Sequence, residues 1–384
     1  MTIAARERGS IPKRDYAAFS ARLFEGAARS GLPLRGQIEL TYRCNLRCVH
    51  CYTDCHNHPA DVARELPRRE ILRILDAMHR DGCLWLCLTG GEIFRRPDFF
   101  GIYDHAQDKG FLVTLFTNVT TVTRPIADRL AERRPFAIET SCHGGSAAVF
   151  DAVTRVPGSF ARFCEGVRLL LDRGLPLKVK TKAMTLNRGR LGEIRSLLAS
   201  FGLPFHVSTD IYPDLAGSIA PASYRLSPEE IVALEGACDA PDGGSGCRAA
   251  GAHGADGDLF PRPPSALYRC GCGSNSFIVD PYGRLGSCVW SRAPGVDLAH
   301  APRIDLARAF ERQNAAIRAR VYPDTSPCRD CRVHAQCDKK SGIASPESGR
   351  AEDPVGHFCE TAHARARRLG LDVHSPFERE GRGR

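Results

Sequence analysis

Between residues 36 and 210, six strand-like runs alternate with helical patterns, and this alternation restricts the possible folds more than any other feature of the chain. The runs are 37–42, 83–88 (Cys-Leu-Trp-Leu-Cys-Leu), 111–116 (Phe-Leu-Val-Thr-Leu-Phe), 136–141, 177–184 and 204–210. Helical periodicity fills the gaps. In Leu66–Arg80 it brings Ile71, Leu72, Ile74, Leu75 and Met78 to one face. Strands that alternate with helices pair in parallel, because a parallel connection needs a crossover long enough to hold a helix. A closed eight-unit barrel takes ~250 residues, whereas these six units occupy about 175. The expected fold is therefore α/β, a partial (β/α)6 barrel of the TIM type.

The loop after the first run reads Cys44-Asn-Leu-Arg-Cys48-Val-His-Cys51. Three thiolates so close together can hold three irons of a [4Fe–4S] cluster and leave the fourth iron open. A structural zinc site would use four ligands, commonly in CxxC pairs, which this triplet does not supply. Loops at the C-terminal ends of barrel strands form the catalytic face of such folds. The chain has 17 cysteines, clustered at 44–55 and 270–359. With no apolar signal segment at the start, they read as metal ligands in a reducing, cytoplasmic compartment rather than as disulfides. No apolar stretch is long enough to span a membrane. The net charge of +9 sits at the ends, with +4 in residues 1–35 and +3 in 361–384, so the body carries +2. A basic stripe on the folded body, as nucleic-acid binding would require, is not expected.

The CxxxCxxC loop after a first strand resembles that of the radical S-adenosylmethionine (SAM) enzymes. That resemblance implies that Cys44, Cys48 and Cys51 hold a [4Fe–4S] cluster whose open iron binds SAM. It also implies SAM-binding roles for Gly90, Gly91 and Glu92 after the second strand, with Glu92 on the SAM amino group, and for Asn118, Ser141 and Arg155. Val119 stands where the family often has glycine after Thr-Asn, and Cys142-His143-Gly144 replaces the usual Leu-Asp-Gly. Asn187 is a further candidate, and His50 reads as a packing residue. Cys55 reads as a nearby structural thiol. Cys83, Cys87, Cys142 and Cys164 read as small buried hydrophobes.

The C-terminal cysteines resemble the SPASM domain, a module for auxiliary iron–sulfur clusters. Twelve residues separate Cys270 from Gly283 and four separate Gly283 from Cys288; then come Cys328-x2-Cys331-x5-Cys337 and a last Cys359. The resemblance implies one or two auxiliary clusters, the first on Cys270, Cys272 and Cys288 and the second on Cys328, Cys331, Cys337 and Cys359. Ser341 stands where the pattern has a further cysteine, and Cys238 or Cys247 could compensate. A zinc ribbon is the competing reading of the CxxC pair.

The expected organisation is an N-terminal extension (1–35), the radical SAM core (36–225), a linker helix capped by Ser227 and Glu230 with a Gly/Pro-rich loop (226–265), the SPASM segment (266–365) and a basic tail (366–384). Enzymes of this type mostly modify peptides, so the resemblance implies a maturase that takes a hydrogen atom from a peptide or protein substrate. An electron donor such as flavodoxin or ferredoxin would serve it. Residues 1–35 are too short for a peptide-binding domain, which implies a separate peptide-binding protein if the substrate carries a leader. Alternatives are a sulfatase-maturing enzyme, disfavoured because Val289-Trp290 follows Cys288 where that group has aspartate, an enzyme acting on a small molecule or cofactor precursor, and a zinc-binding interaction module.

Overall fold

The computed structural model describes residues 16–53, 57–239, 248–249, 263–269, 272–274, 276–299, 301–373 and 375. Cys55, Cys247 and Cys270 lie outside them, as does the side chain of Cys238 and most of the expected 239–265 loop.

Among the described residues ten strands form one sheet. They are β1 (Arg35–Thr41), β2 (Trp85–Gly90), β3 (Leu112–Phe116), β4 (Ala137–Ser141), β5 (Leu177–Lys182), β6 (His206–Ser208), β7 (Arg248–Ala249), β8 (Ser276–Val279), β9 (Arg284–Gly286) and β10 (Val296–Asp297). The helices are α1 (Tyr16–Ser30), α2 (Pro59–Arg64), α3 (Arg68–Arg80), α4 (Phe99–Asp108), α5 (Arg124–Glu132), α6 (Ala147–Thr154), α7 (Ser159–Leu171), α8 (Leu191–Ser200), α9 (Pro228–Asp239), α10 (Leu306–Arg318), α11 (Ser345–Ser348) and α12 (Gly356–Arg368). Strands β1 to β7 run in sequence order, each parallel to the next. All six expected runs are strands, with ends shifted by a few residues.

On the other side of β1, β8 pairs in parallel with it, and β9 and β10 continue the sheet antiparallel. The sheet thus crosses the boundary expected at 266. Phe277, Val279 and Leu285, with Leu306 and Phe310 of α10, belong to the same buried cluster as Ile38, Leu40, Ile74 and Met78. Burying about one Leu or Phe side chain contributes ~1.5–3 kcal/mol, so this shared core ties the C-terminal segment firmly to the barrel.

Strand alternation sorts the two faces. Ile38 and Leu40 of β1, Leu86 and Leu88 of β2, and Ile138 of β4 pack into the helical layer. The residues between them, Gln37, Glu39, Thr89, Glu139 and Ser141, with Lys180 of β5, point to the concave side. Helix α1 covers the start of β2, where Phe24, Ala27 and Leu34 pack on Trp85, whose indole N–H donates to the Tyr16 hydroxyl at 2.9 Å. The expected capping box at α9 is present: the Glu230 N–H donates to Ser227 Oγ at 3.2 Å and the Ser227 N–H to Glu230 Oε2 at 2.8 Å.

Candidate active site

The cysteine loop is pinned at several points. Leu46 and Val49 are buried, the Arg47 N–H donates to the Thr154 carbonyl at 2.9 Å, and the Val49 N–H to that of Val153 at 3.0 Å. Between these anchors Cys44, Cys48 and Cys51 turn to one side. Burial pushes the Cys48 thiol well above its usual pKa, and the nearby Cys51 and Cys44 add to the shift. The Leu46 N–H donates to Cys44 Sγ at 3.4 Å, the Asn118 amide reaches the same sulfur at 3.6 Å, and the Thr53 hydroxyl lies 3.3 Å from Cys51 Sγ. This donor set fits a three-thiolate cluster. Thiolates that repel one another are stabilised once metal shares their charge, and hydrogen bonds to ligand sulfurs are a normal feature of iron–sulfur sites. Among the described residues no group of three or more His, Cys, Asp or Glu side chains is arranged to hold a single metal ion.

An open cavity of about 370 Å³ lies over the loop. Cys44, Cys48 and Cys51 line it together with Gly90, Gly91, Asn118 and Ser141. At Gly90, φ is +134° and a Cβ would stand 2.1 Å from the Thr41 carbonyl oxygen; at Gly91 it would stand 2.4 Å from that of Arg43. Only glycines let the end of β2 lie this close to the strand that launches the cysteine loop.

Glu92, Arg155 and Asn187 are not among the residues that line this cavity. Glu92 is fully buried beneath the cavity wall. It accepts from Thr117 Oγ1 at 2.8 and 3.0 Å, from the Asn118 N–H at 2.8 Å and from the Phe94 N–H at 3.2 Å. Burial raises its pKa against the effect of these donors. Its carboxylate thus shapes the turn that presents Asn118. Arg155 caps α6 in the left-handed region, with φ of 55°, donates to the Tyr224 hydroxyl at 3.2 Å, and is not a lining residue. Asn187 is buried and donates to the carbonyls of Lys182 and His143 at 2.9 and 3.1 Å, a loop-locking role. His50 packs edge-on against His143 with ring centroids 4.9 Å apart, as a packing residue should, and both line the cavity. Cys83, Cys142 and Cys164 are buried among core residues. Cys87 instead lies on the concave side, where burial raises its pKa and Glu139 and Glu39 add to the effect.

Sequence reasoning missed the far wall. Val289 and Trp290 of the C-terminal segment close the cavity. Trp290 packs edge-on against Tyr52, at 5.4 Å, and tilted against Tyr212, at 4.7 Å. Beneath it the fully buried Glu39 receives Arg292 on both oxygens, at 2.7 and 2.9 Å, with the Tyr42 hydroxyl at 2.6 Å and the Tyr52 hydroxyl at 3.1 Å. Arg292 therefore clamps the C-terminal segment to the floor of the barrel. The position of Trp290, two residues after a cysteine of the auxiliary pattern, was the available signal.

Two smaller cavities lie in the C-terminal segment. Cys272, Cys288 and Ser341 line the first, with the two sulfurs 3.6 Å apart and the Ser341 hydroxyl donating to the Leu267 carbonyl at 3.1 Å. Cys328, Cys331, Cys337 and Cys359 all line the second. Burial pushes the Cys337 thiol up to about 12 and that of Cys359 to about 11. Four thiols converging on one small cavity have the chemistry of a complete iron–sulfur ligand set.

A model of the radical SAM superfamily matches residues 38–195, from within β1 into α8. Residues 38–195 thus carry the match to the radical SAM superfamily. The family implies a [4Fe–4S] cluster and SAM. The chain is 30% identical over 192 residues to the AdoMet-dependent heme synthase of Methanosarcina barkeri, covering 49% of this chain and 54% of that protein. It is 27% identical over 265 residues to the mycofactocin maturase MftC of Mycobacterium ulcerans, covering 65% and 66%. The matches thus span about half to two thirds of these relatives. Among solved structures, Streptococcus suis SuiB bound to the precursor peptide SuiA superposes with a TM-score of 0.64 at 13% identity, over 94% of this chain and 84% of that one. That likeness shows a shared fold across the barrel and the cysteine-rich segment. Among the described residues no helix is long and apolar enough to cross a membrane.

Proposed function

We propose that this chain is a peptide maturase that uses SAM to take a hydrogen atom from a peptide side chain or Cα. The observation that carries the reading is the composition of one cavity, in which the three-cysteine loop, Gly90, Gly91, Asn118 and Ser141 share a wall with Val289 and Trp290 of the cysteine-rich segment. Cys44, Cys48 and Cys51 would hold the cluster, and the family chemistry supplies a 5′-deoxyadenosyl radical when SAM is bound and one electron arrives. The residues of the chain do the rest. Gly90 and Gly91 let the end of β2 lie against the strand that launches the cysteine loop and so shape the wall against which SAM would sit, Asn118 and Ser141 offer it hydrogen bonds, and Glu92 holds Asn118 in place. Tyr52 and Trp290 exclude water from the side of the C-terminal segment, which protects a reactive species from stray hydrogen donors.

Cys328, Cys331, Cys337 and Cys359 would hold one auxiliary cluster. Cys272 and Cys288, with Cys270, would hold another that lacks the thiolate replaced by Ser341. Such clusters suit an electron leaving or entering a substrate radical, with flavodoxin or ferredoxin as the external donor. A peptide substrate is supported by the matches to mycofactocin maturases and a PqqA peptide cyclase and by the fold shared with SuiB bound to the precursor peptide SuiA.

The test is anaerobic reconstitution of the chain and of a Cys44/Cys48/Cys51→Ala triple variant, followed by iron analysis and detection of 5′-deoxyadenosine. About 12 irons per chain falling to about 8, with loss of 5′-deoxyadenosine, are expected. Transfer of deuterium from a labelled peptide into 5′-deoxyadenosine identifies the substrate class. Zinc in place of iron, or deuterium transfer from tetrapyrroles alone, would overturn the reading.

A further inference from the structure

The two cysteine-lined cavities of the C-terminal segment share a wall, since His334, Cys337 and Lys339 line both. Lys339 is held in this wall from three directions. Its ammonium donates to the Asp353 carbonyl oxygen at 2.6 Å, lies 4.0 Å from Cys328 Sγ, and sits 5.3 Å from the centre of the Tyr322 ring. The carboxylates nearest to it are engaged by other cations. Asp353 pairs with Arg350 at 2.9 Å and Glu352 with Arg320 at 2.9 Å. The neighbouring guanidinium of Arg269 donates to the Cys328 carbonyl at 3.2 Å and not to its sulfur. Lys339 is thus a part-buried cation whose nearest thiol belongs to the complete four-cysteine set.

Reduction adds one negative charge to an iron–sulfur cluster, and cluster potentials respond to nearby charge, to hydrogen bonds on the sulfurs and to exposure. A cation a few ångströms away in a low-dielectric wall stabilises the reduced form more than the oxidised form. We infer that Lys339 is a positioning charge that raises the reduction potential of the cluster on Cys328, Cys331, Cys337 and Cys359. This rests on the reading above that those cysteines hold a cluster. The step is a one-electron reduction of the cluster by an external low-potential donor; no bond forms or breaks and no proton moves with the electron.

The experiment is a redox titration of the reconstituted full chain, followed by electron paramagnetic resonance, for wild type, Lys339→Met and Lys339→Arg, with iron counted in each. Iron content is expected to stay constant. The midpoint potential of this cluster should fall by at least 59 mV in Lys339→Met, a tenfold change in its one-electron equilibrium constant, and by less than half of that in Lys339→Arg. Should the Met variant fail to hold iron, Lys339→Gln, which keeps a donor for the Asp353 carbonyl but removes the charge, takes its place in the same titration. An unchanged midpoint with the signal intact overturns the inference. The underlying reading is tested separately: a Cys328/Cys331/Cys337/Cys359→Ala variant that keeps the wild-type iron count overturns the reading, and the inference with it.

Discussion

Replacing Arg292 by methionine removes the cation that joins the C-terminal segment to the barrel floor. Glu39 has no solvent exposure, and Arg292 supplies two of its contacts, at 2.7 and 2.9 Å. Removing one partner of a buried ion pair costs ~3–5 kcal/mol, because the other is left uncompensated. Two features moderate the loss here. The Tyr42 and Tyr52 hydroxyls remain on the carboxyl group, and the Arg292 side chain is itself 21% exposed. The expected destabilisation is therefore about 3 kcal/mol, or about a hundredfold in the unfolding equilibrium constant. Urea unfolding of the anaerobic, metal-loaded protein measures it, and one of the chain's two tryptophans, Trp290, reports from the junction itself. The double variant Glu39→Met/Arg292→Met should recover at least half of the loss, because no unpaired charged group is then buried. A single variant within about 1 kcal/mol of wild type, or a double variant less stable than the single, would refute the argument.

Three further outcomes are expected. Gly90→Ala puts a Cβ 2.1 Å from the Thr41 carbonyl at a φ of +134°; calorimetry should show SAM affinity reduced at least tenfold, and unchanged affinity would mean that the turn does not contact SAM. Ser341→Cys adds a thiol to the cavity of Cys272 and Cys288, and the spectroscopic signal of that cluster should change with iron per chain constant. Stability should fall on acidification, because burial, assisted by Lys182, holds His143 down at about 4 from an ordinary 6.5. The folded chain binds fewer protons than the unfolded chain between these values, so stability from this group is present above pH 6.5 and lost as pH falls towards 4. The loss is at most about 3 kcal/mol, and His143→Gln should flatten the slope in a pH series of urea titrations.

The parts of this protein legible in its sequence are those set by short-range periodicity. The apolar alternation of β1 to β6, the amphipathic face of α3, the capping box at Ser227 and the close spacing of Cys44, Cys48 and Cys51 each lie within a few residues. Chain geometry therefore decides them wherever the rest of the chain goes. The convergence of the cysteine loop with Gly90, Gly91, Asn118 and Ser141 was also readable, because successive parallel strands deliver their C-terminal ends to one face. What tertiary structure decided involves partners far apart in the chain. Strand β8 pairs with β1 across more than two hundred residues of chain, and Arg292 finds Glu39 at a separation of 253. Trp290 becomes a cavity wall only because of both contacts. Glu92 and Arg155 show the same limit in reverse. Glu92 accepts from Thr117 and from the Asn118 and Phe94 N–H groups, and Arg155 caps α6 and reaches Tyr224, contacts set by packing that no local pattern announces. Local pattern selects which elements form; which side chain meets which is settled by the competition for burial and hydrogen bonds once those elements pack.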